Sequence, residues 1–134
     1  MNKYFIIATD AESINKIKSV VSEYPALEFI GSSLDYEEIM NTLLKEKPSL
    51  LYIDIDNYTN KPFEFINQLG KYMQCIPQLI AMSKNKDQAF DAIKANFADY
   101  LLTPLSELEI RKSIIKFQQN STLKKKKHTL LKIV

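Results

Sequence analysis

Two carboxylates, Asp54 and Asp56, end a strongly apolar segment in the middle of the chain. The segment before them, residues 50–53, is Leu-Leu-Tyr-Ile, and the polar residues after Asp56 are typical of a turn. Carboxylate oxygens are ligands that Mg²⁺ prefers, and a bound cation supports phosphoryl transfer by opposing its negative charge. The pattern therefore predicts phosphoryl chemistry at a strand end. The alternative is that Asp54 is a turn acid and Asp56 a solvated loop acid.

Other polar residues that could act with these acids also lie where apolar segments end. Asp10 follows the first apolar segment, Ser83 ends the fourth, and Thr103 follows the fifth. Asp10 is equally well explained as a carboxylate at the start of a helix, where the helix dipole favours negative charge. Ser83 has the simpler interpretation of a strand-end hydroxyl.

The residues that other kinds of functional site require are missing from this sequence or lie in the wrong place. A flavin or dinucleotide site needs a phosphate-binding loop rich in glycine, but the two glycines, Gly31 and Gly70, do not follow the first strand. The one histidine, His128, lies near the C-terminal end, which excludes a Ser-His-Asp triad within the body of the chain. The lone cysteine, Cys75, permits no internal disulfide and is expected in the core.

The net charge of +2 comes from the last residues of the sequence. Residues 121–134 contain five lysines and no acid, which leaves 13 basic against 16 acidic residues in the rest, a net charge of −3. The body therefore lacks the basic surface of a nucleic-acid-binding domain. We expect residues 1–120 to form one domain and residues 121–134 to be a basic linker or tail.

Strand and helix patterns alternate along the chain and position these residues. Continuous apolar segments predict five strands, over residues 3–9, 26–31, 49–55, 77–83 and 98–102. Helix starts are indicated by capping boxes at Thr9-x-x-Glu12, Asp35-x-x-Glu38 and Ser106-x-x-Glu109, and by Pro62 at a first helical position. In the second helix we expect Ile39, Leu43 and Leu44 to face the core.

Five strand–helix units with unbroken apolar strands predict an α/β fold with a parallel sheet covered by helices on both faces. Right-handed crossovers leave few topologies, and we expect the flavodoxin-like doubly wound strand order 2-1-3-4-5. Ligands of such sheets bind outside the carboxyl ends of the strands. Asp54 lies at that end of the predicted central strand.

Three stretches, in order, resemble the receiver domain of bacterial response regulators across residues 3–120. Residues 47–55, "KPSLLYIDI", resemble the phosphoacceptor strand, and residues 76–83, "IPQLIAMS", the strand that ends in a hydroxyl residue. Residues 89–104, "AFDAIKANFADYLLTP", are similar to the final motif as found in receivers linked to LytTR DNA-binding domains.

The resemblance implies a phosphorylation switch in two-component signalling. Asp54 would accept a phosphoryl group from a sensor histidine kinase, and Ser83 would contact its oxygens. Thr103 stands in place of the family lysine. Tyr100 would be the aromatic switch residue, although it is equally well explained as a core residue. The family also implies a cis peptide bond between Thr103 and Pro104.

The metal ligands implied by the resemblance are Asp10, Asp54 and Asp56. The acidic pair of the family falls on residues 8–9, 9–10 or 10–11, depending on the register chosen. Because one acid of the pair and the lysine are missing, we expect weak Mg²⁺ binding and poor phosphoryl transfer.

Two function classes stay open: a phosphoaccepting receiver, and a pseudo-receiver that acts as a protein-interaction module without phosphate. A flavodoxin-like electron carrier is a remote third. We expect a cytoplasmic protein that is not an enzyme and has no membrane span, since no apolar stretch approaches the roughly 18 residues that a span requires.

A homodimer is expected through the face of the fourth and fifth strand–helix units, with Ala89, Phe90, Ile93 and the exposed side of the last helix. The tail, which ends in "HTLLKIV", is expected to extend the last helix or pack across this interface. DNA would be contacted only through an effector domain outside this sequence.

Overall fold

The computed structural model describes residues 2–58 and 61–133, with side chains up to Leu123. Strands and helices alternate throughout as β1 Asn2–Ile7, α1 Ala11–Val21, β2 Leu27–Ser32, α2 Tyr36–Glu46, β3 Leu50–Asp54, α3 Pro62–Tyr72, β4 Gln78–Ser83, α4 Ala89–Lys94, β5 Asp99–Leu102 and α5 Glu107–Ile133. The α4 helix is shorter than the segment 86–96 that the sequence pattern predicts. Within the described residues, no helix is both long and apolar enough to cross a membrane.

The five strands form one sheet in the order β2-β1-β3-β4-β5, and all neighbouring pairs are parallel. This confirms the flavodoxin-like order expected from the sequence. Because β3 is central and parallel to its neighbours, its last residue, Asp54, lies at the carboxyl edge of the sheet. Its partner across the strands is Met82, one residue before the end of β4.

The core consists of two apolar layers, one on each face of the sheet, because successive strand residues point to opposite faces. One layer joins Tyr4, Ile6, Leu50, Tyr52, Ile80 and Met82 to helices α1 and α5. The other joins Phe5, Ile7, Leu51, Ile53, Leu79 and Ala81 to helices α2 and α3. A strand buried on both faces has no polar position before its end, which is why Asp54 is the first residue of β3 that is not fully buried.

Local helix-start signals are confirmed with one correction. The Asp35 carboxylate accepts from the amide of Glu38 at 2.9 Å, and the Ser106 hydroxyl accepts from the amide of Glu109 at 3.1 Å. Pro62 begins α3. The predicted cap at Thr9 is wrong by one residue: Asp10 caps α1, because its carboxylate reaches the amide of Ser13 at 3.1 Å.

Two burial predictions are also wrong. Cys75 is exposed, because it lies in the connection between α3 and β4 rather than within a strand. Leu44 is 44% exposed, since Ile39 and Leu43 already occupy the inward side of α2. The peptide bond between Thr103 and Pro104 is cis, as the resemblance implies.

Candidate functional site

The residues that the sequence singles out gather at the carboxyl edge of β3, β4 and β5. Asp54 ends β3 and is half-buried, while Ser83 ends β4 and is 1% exposed. The two strands are in register, and the backbone amide of Ile55 still donates to the carbonyl of Met82 at 3.1 Å. The amide of Thr103 donates to the carbonyl of Ser83 at 2.8 Å. The sheet therefore places Asp54, Ser83 and Thr103 at or just beyond the ends of three adjacent strands.

The Asp54 carboxylate accepts hydrogen bonds from the turn that follows it. One oxygen accepts from the amides of Asp56 at 3.1 Å and Asn57 at 3.2 Å, and the other accepts from the Asn57 side-chain amide at 2.8 Å. These bonds hold the carboxylate at the strand tip and close the turn. Asp54 thus has the geometry of a turn acid, at the strand end where the sequence predicts a phosphoacceptor.

The Asp56 carboxylate joins the β3–α3 loop to the end of β4. One oxygen accepts from the Ser83 hydroxyl at 2.8 Å and lies 3.5 Å from the side-chain amide of Gln88. The other accepts from the backbone amide of Lys84 at 2.8 Å. Asp56 is an exposed loop acid, as in the simpler interpretation, but its carboxylate is also hydrogen-bonded to the end of β4.

Asp10 contacts its own helix. Its carboxylate accepts from the Ser13 hydroxyl at 2.7 Å and from the Ser13 amide at 3.1 Å. These two bonds, the hydroxyl first, hold the pKa of the Asp10 carboxyl below its usual value. The interpretation of Asp10 as a helix-capping acid is confirmed.

The predicted metal ligands Asp10, Asp54 and Asp56 do not form one cluster. Across residues 2–58 and 61–123, no group of three or more His, Cys, Asp or Glu side chains is placed to hold a metal ion. The physical reason is that each of the three carboxylates has other partners: the α1 cap, the turn after β3 and the end of β4. The three carboxylates therefore do not form one Mg²⁺ site, although Mg²⁺ is usually held by only one or two carboxylates together with water.

The strand end that holds Thr103 is supported by a lysine that sequence reasoning missed. The Lys16 ammonium, on α1, donates to the carbonyl of Leu105 at 2.8 Å. The bond lies two residues beyond Thr103, so a cation supports the β5–α5 connection although Thr103 itself is uncharged. No sequence signal indicates it, because the bonded residues are 89 positions apart.

Tyr100, the candidate switch residue, connects β5 to the loop after β4. Its ring is half-buried against the core layer of α2 and α3, and its hydroxyl donates to the carbonyl of Asn85 at 2.7 Å. The simpler interpretation of Tyr100 as a core residue explains the packing of its ring but not the hydrogen bond of its hydroxyl. Asn85 was not predicted, because it contributes its backbone carbonyl, which every residue type has.

An apolar surface covers the outer side of α4, β5 and α5, and we call it the α4–α5 face. Phe90 is 66% exposed and Ile93 71% exposed, on α4. Leu102 on β5 and Leu108 and Ile115 on α5 are also exposed. These five exposed apolar side chains lie on three consecutive elements, and apolar exposure that is contiguous is typical of an interaction surface.

Comparisons with known proteins agree on one kind of protein, although no family model matches the chain. The chain is 25% identical over 119 residues to the sensory transduction protein LytT of Bacillus anthracis, covering 89% of this chain and 48% of that protein. It is 21% identical over 119 residues to the transcriptional regulatory protein BtsR of Escherichia coli, covering 89% and 49%. The chain thus spans about half the length of these curated relatives.

Solved structures share the fold. The REC domain of AraT, a response regulator from Geobacillus stearothermophilus, superposes with a TM-score of 0.77 at 18% identity, covering 92% of this chain and 97% of that one. The isolated REC domain of RcsB from Salmonella enterica serovar Typhimurium has a TM-score of 0.74 at 13% identity and covers 90% of both chains. From these relatives and this fold, the chain is a homologue of response regulators, with the fold of their receiver domains and a sequence similar to LytT.

Proposed function

We propose that this receiver domain works in two-component signalling by accepting a phosphoryl group on Asp54. The observation that carries the proposal is the place of Asp54: it ends the central strand, at the carboxyl edge of the sheet, on the strand beside Ser83. An Asp54 carboxylate oxygen bonds to phosphorus as the bond between phosphorus and the donor's leaving group breaks. Ser83 then contacts a phosphoryl oxygen.

Transfer to Asp54 is slow and depends weakly on Mg²⁺. Thr103 supplies no positive charge near the phosphoryl oxygens, and Asp10 is engaged as the cap of α1. Phosphoryl transfer relies on cations that oppose the spreading negative charge, so a site with fewer charged groups is less effective. Receiver domains in general bind Mg²⁺ at this position. Here Asp54 lies at that position, while the Asp56 carboxylate accepts hydrogen bonds from Ser83 and Lys84.

Incubation with acetyl phosphate tests the acceptor. The intact mass of the wild-type protein should increase by one phosphoryl group, and that of Asp54→Asn should not change. Asp87→Asn is the matched control, because Asp87 is an exposed acid in the loop after β4. A phosphoryl adduct that survives in the Asp54→Asn protein would falsify the assignment.

The second candidate is an interaction module whose output needs no phosphate. The observation in its favour is that the Asp54 carboxylate and the Ser83 hydroxyl both already take part in hydrogen bonds within the protein. A wild-type protein that gains no mass from acetyl phosphate, and still forms its dimer, would support this function over the first.

The partners follow from the same proposal. A sensor histidine kinase supplies the phosphoryl group in the cytoplasm, and the α4–α5 face forms a homodimer because its apolar side chains, including Phe90 and Ile93, are exposed. Residues 1–120 are the receiver domain, and residues 121–134 are a basic linker. Contact with DNA belongs to an effector domain outside this sequence. The chain's own role is binding and switching rather than enzymatic turnover.

A further inference from the structure

We propose that Asp56 is an internal anion that holds the loop after β4 in the way a bound phosphoryl group would. Its carboxylate accepts hydrogen bonds from the hydroxyl of Ser83 and the backbone amide of Lys84, two donors at the carboxyl end of β4. The proposal rests on the proposed function where it concerns phosphate. The contacts themselves do not depend on it.

The Ser83 hydroxyl and the Lys84 amide come from successive residues and point to the two oxygens of one carboxylate, each at 2.8 Å. Hydrogen bonds to an ionised acceptor are shorter and stronger than those between neutral groups. Gln88, at 3.5 Å, adds a third, weaker donor on the same side. The donors therefore form a small oxyanion site, which the protein fills with its own side chain.

This oxyanion site lies next to the end of β3. Asp54 pairs with Met82 across β3 and β4, and adjacent strands are about 4.8 Å apart. Ser83 is the next residue along β4, so its hydroxyl is within reach of a phosphoryl group on Asp54. Asp56 reaches the same hydroxyl from two residues beyond Asp54. A phosphoryl group on Asp54 would need the same donors that the Asp56 carboxylate uses. Because two anions repel at short range, both cannot bind these donors at once, so they compete.

The loop after β4 also contacts Tyr100. Asn85 follows Lys84 directly, and its carbonyl is the acceptor for the Tyr100 hydroxyl at 2.7 Å. By holding Ser83 and Lys84, Asp56 also keeps this carbonyl in place. The contact between Tyr100 and the loop, which a phosphorylated receiver would be expected to control, is made here without phosphate.

Hydrogen exchange of the Lys84 amide, followed by NMR, tests the contact directly. In Asp56→Ala the amide loses its acceptor and should exchange at least about tenfold faster, as expected for the loss of a hydrogen bond to a charged group. In Asp56→Asn one side-chain oxygen remains as an acceptor, so the rate should be intermediate. Asp87→Ala is the control and should leave the rate unchanged. Equal rates in the wild type and in Asp56→Ala would overturn the proposal.

The competition is tested with inorganic phosphate and acetyl phosphate. Inorganic phosphate should shift the Lys84 amide signal in Asp56→Ala, and the shift should disappear in the double variant with Ser83→Ala. The wild type should show no such shift. Acetyl phosphate should label Asp54 several-fold faster in Asp56→Ala than in the wild type. Slower labelling, or a phosphate shift already present in the wild type, would contradict the competition.

These measurements separate the two proposals. If neither protein is labelled by acetyl phosphate but exchange at Lys84 accelerates in Asp56→Ala, the phosphoacceptor function fails and the internal anion stands. If acetyl phosphate labels Asp54 but exchange at Lys84 is unchanged in Asp56→Ala, the phosphoacceptor function stands and the internal anion fails.

Discussion

Tyr52 shows how a single polar atom is accommodated at the centre of this protein. The residue is fully buried on β3, and its hydroxyl lies 2.8 Å from the hydroxyl of Ser113 on α5. Ser113 in turn donates to the carbonyl of Ile110 at 2.6 Å, so Tyr52 is the donor in the bond between the two hydroxyls. Burial raises the pKa of Tyr52, and the bond to Ser113 lowers it by less. Tyr4, beside it in the same core layer, has its pKa raised by burial to about 12.

These raised values predict alkaline destabilisation. Tyrosine in an unfolded chain has a pKa of about 10. The folded state keeps its protons to higher pH, so the stabilisation is complete below pH about 10. It is lost as pH rises toward 12 and beyond, because the unfolded state ionises first. The free energy of unfolding, measured by urea denaturation between pH 8 and 11.5, should fall above pH 10.

The Tyr52→Phe variant tests the contribution of this residue. At pH 7 it should lower the free energy of unfolding by about 1 kcal/mol, since one buried hydrogen bond is lost. Above pH 10 the free energy of unfolding should fall less steeply with pH than in the wild type, by up to about 1.4 kcal/mol per pH unit. Tyr72→Phe, at a position 63% exposed, should behave as the wild type. An unchanged slope in Tyr52→Phe would show that another group causes the alkaline loss.

At the scale of elements, α5 combines a docked part with an extension in one 27-residue helix. The docked part buries Ile110, Ile114 and Phe117 against the sheet. Beyond them, Gln78 at the start of β4 donates to the carbonyl of Phe117 and the hydroxyl of Ser121, each at 3.1 Å. Asn120 donates back to the Gln78 side chain at 3.1 Å. Gln78 therefore holds α5 at the point where the helix leaves the sheet.

Gln78→Ala should loosen this part of the helix. The variant loses three hydrogen bonds at a partly exposed site, and we expect a cost of about 1–2 kcal/mol in the free energy of unfolding. Hydrogen exchange should accelerate at residues 118–123 and remain unchanged at residues 110–114. Gln74→Ala, at an exposed position in the preceding loop, is the control. Equal exchange in both variants would show that packing of Phe117 alone positions the helix.

At the scale of the whole molecule, most of the exposed large apolar side chains in the described residues lie on α4, β5 and α5, although Tyr36, Leu44 and Tyr72 on α2 and α3 are also exposed. The α4–α5 face exposes Phe90, Ile93, Leu102, Leu108 and Ile115, whereas the apolar side chains of α1 and of the inner side of α5 pack into the core. The backbone of α5 continues as a helix to Ile133, in agreement with the expected helix continuation. The apolar residues of the tail, from Leu130 onward, lie outside the residues whose side chains the structure describes. Their packing across an interface therefore stays a prediction.

Sedimentation at high micromolar concentration tests the homodimer. The wild-type chain should sediment as a dimer, and Ile93→Glu should sediment as a monomer because a charge in the centre of an apolar interface is costly to desolvate. Leu44→Glu, an exposed apolar position on α2, should remain a dimer. A chain that ends at Asn120 shows whether the tail contributes. If the full chain and the shortened one are both monomers, the tail is only a linker and the α4–α5 face contacts another protein.

Local patterns in the sequence were enough to predict most of the architecture. The five apolar segments, the caps at Asp35 and Ser106, and Pro62 at a helix start concern residues within a few positions of one another. Such signals act on the backbone directly, so they predict elements and their order well. The strand order followed because right-handed crossovers leave few arrangements of five strand–helix units. The position of Asp54 at the sheet edge followed from that order.

The partners of the polar side chains could not be read from the same patterns. Asp56 meets Ser83 across 27 residues, Gln78 meets Phe117 across 39, and Lys16 meets Leu105 across 89. Each contact depends on how strands and helices pack, and a carboxylate at a strand end has several donors within reach. The sequence therefore indicated which acids border the site. Which of them caps a helix, closes a turn or binds the next strand was decided by folding, because hydrogen bonds form with whatever donors the packed elements bring near.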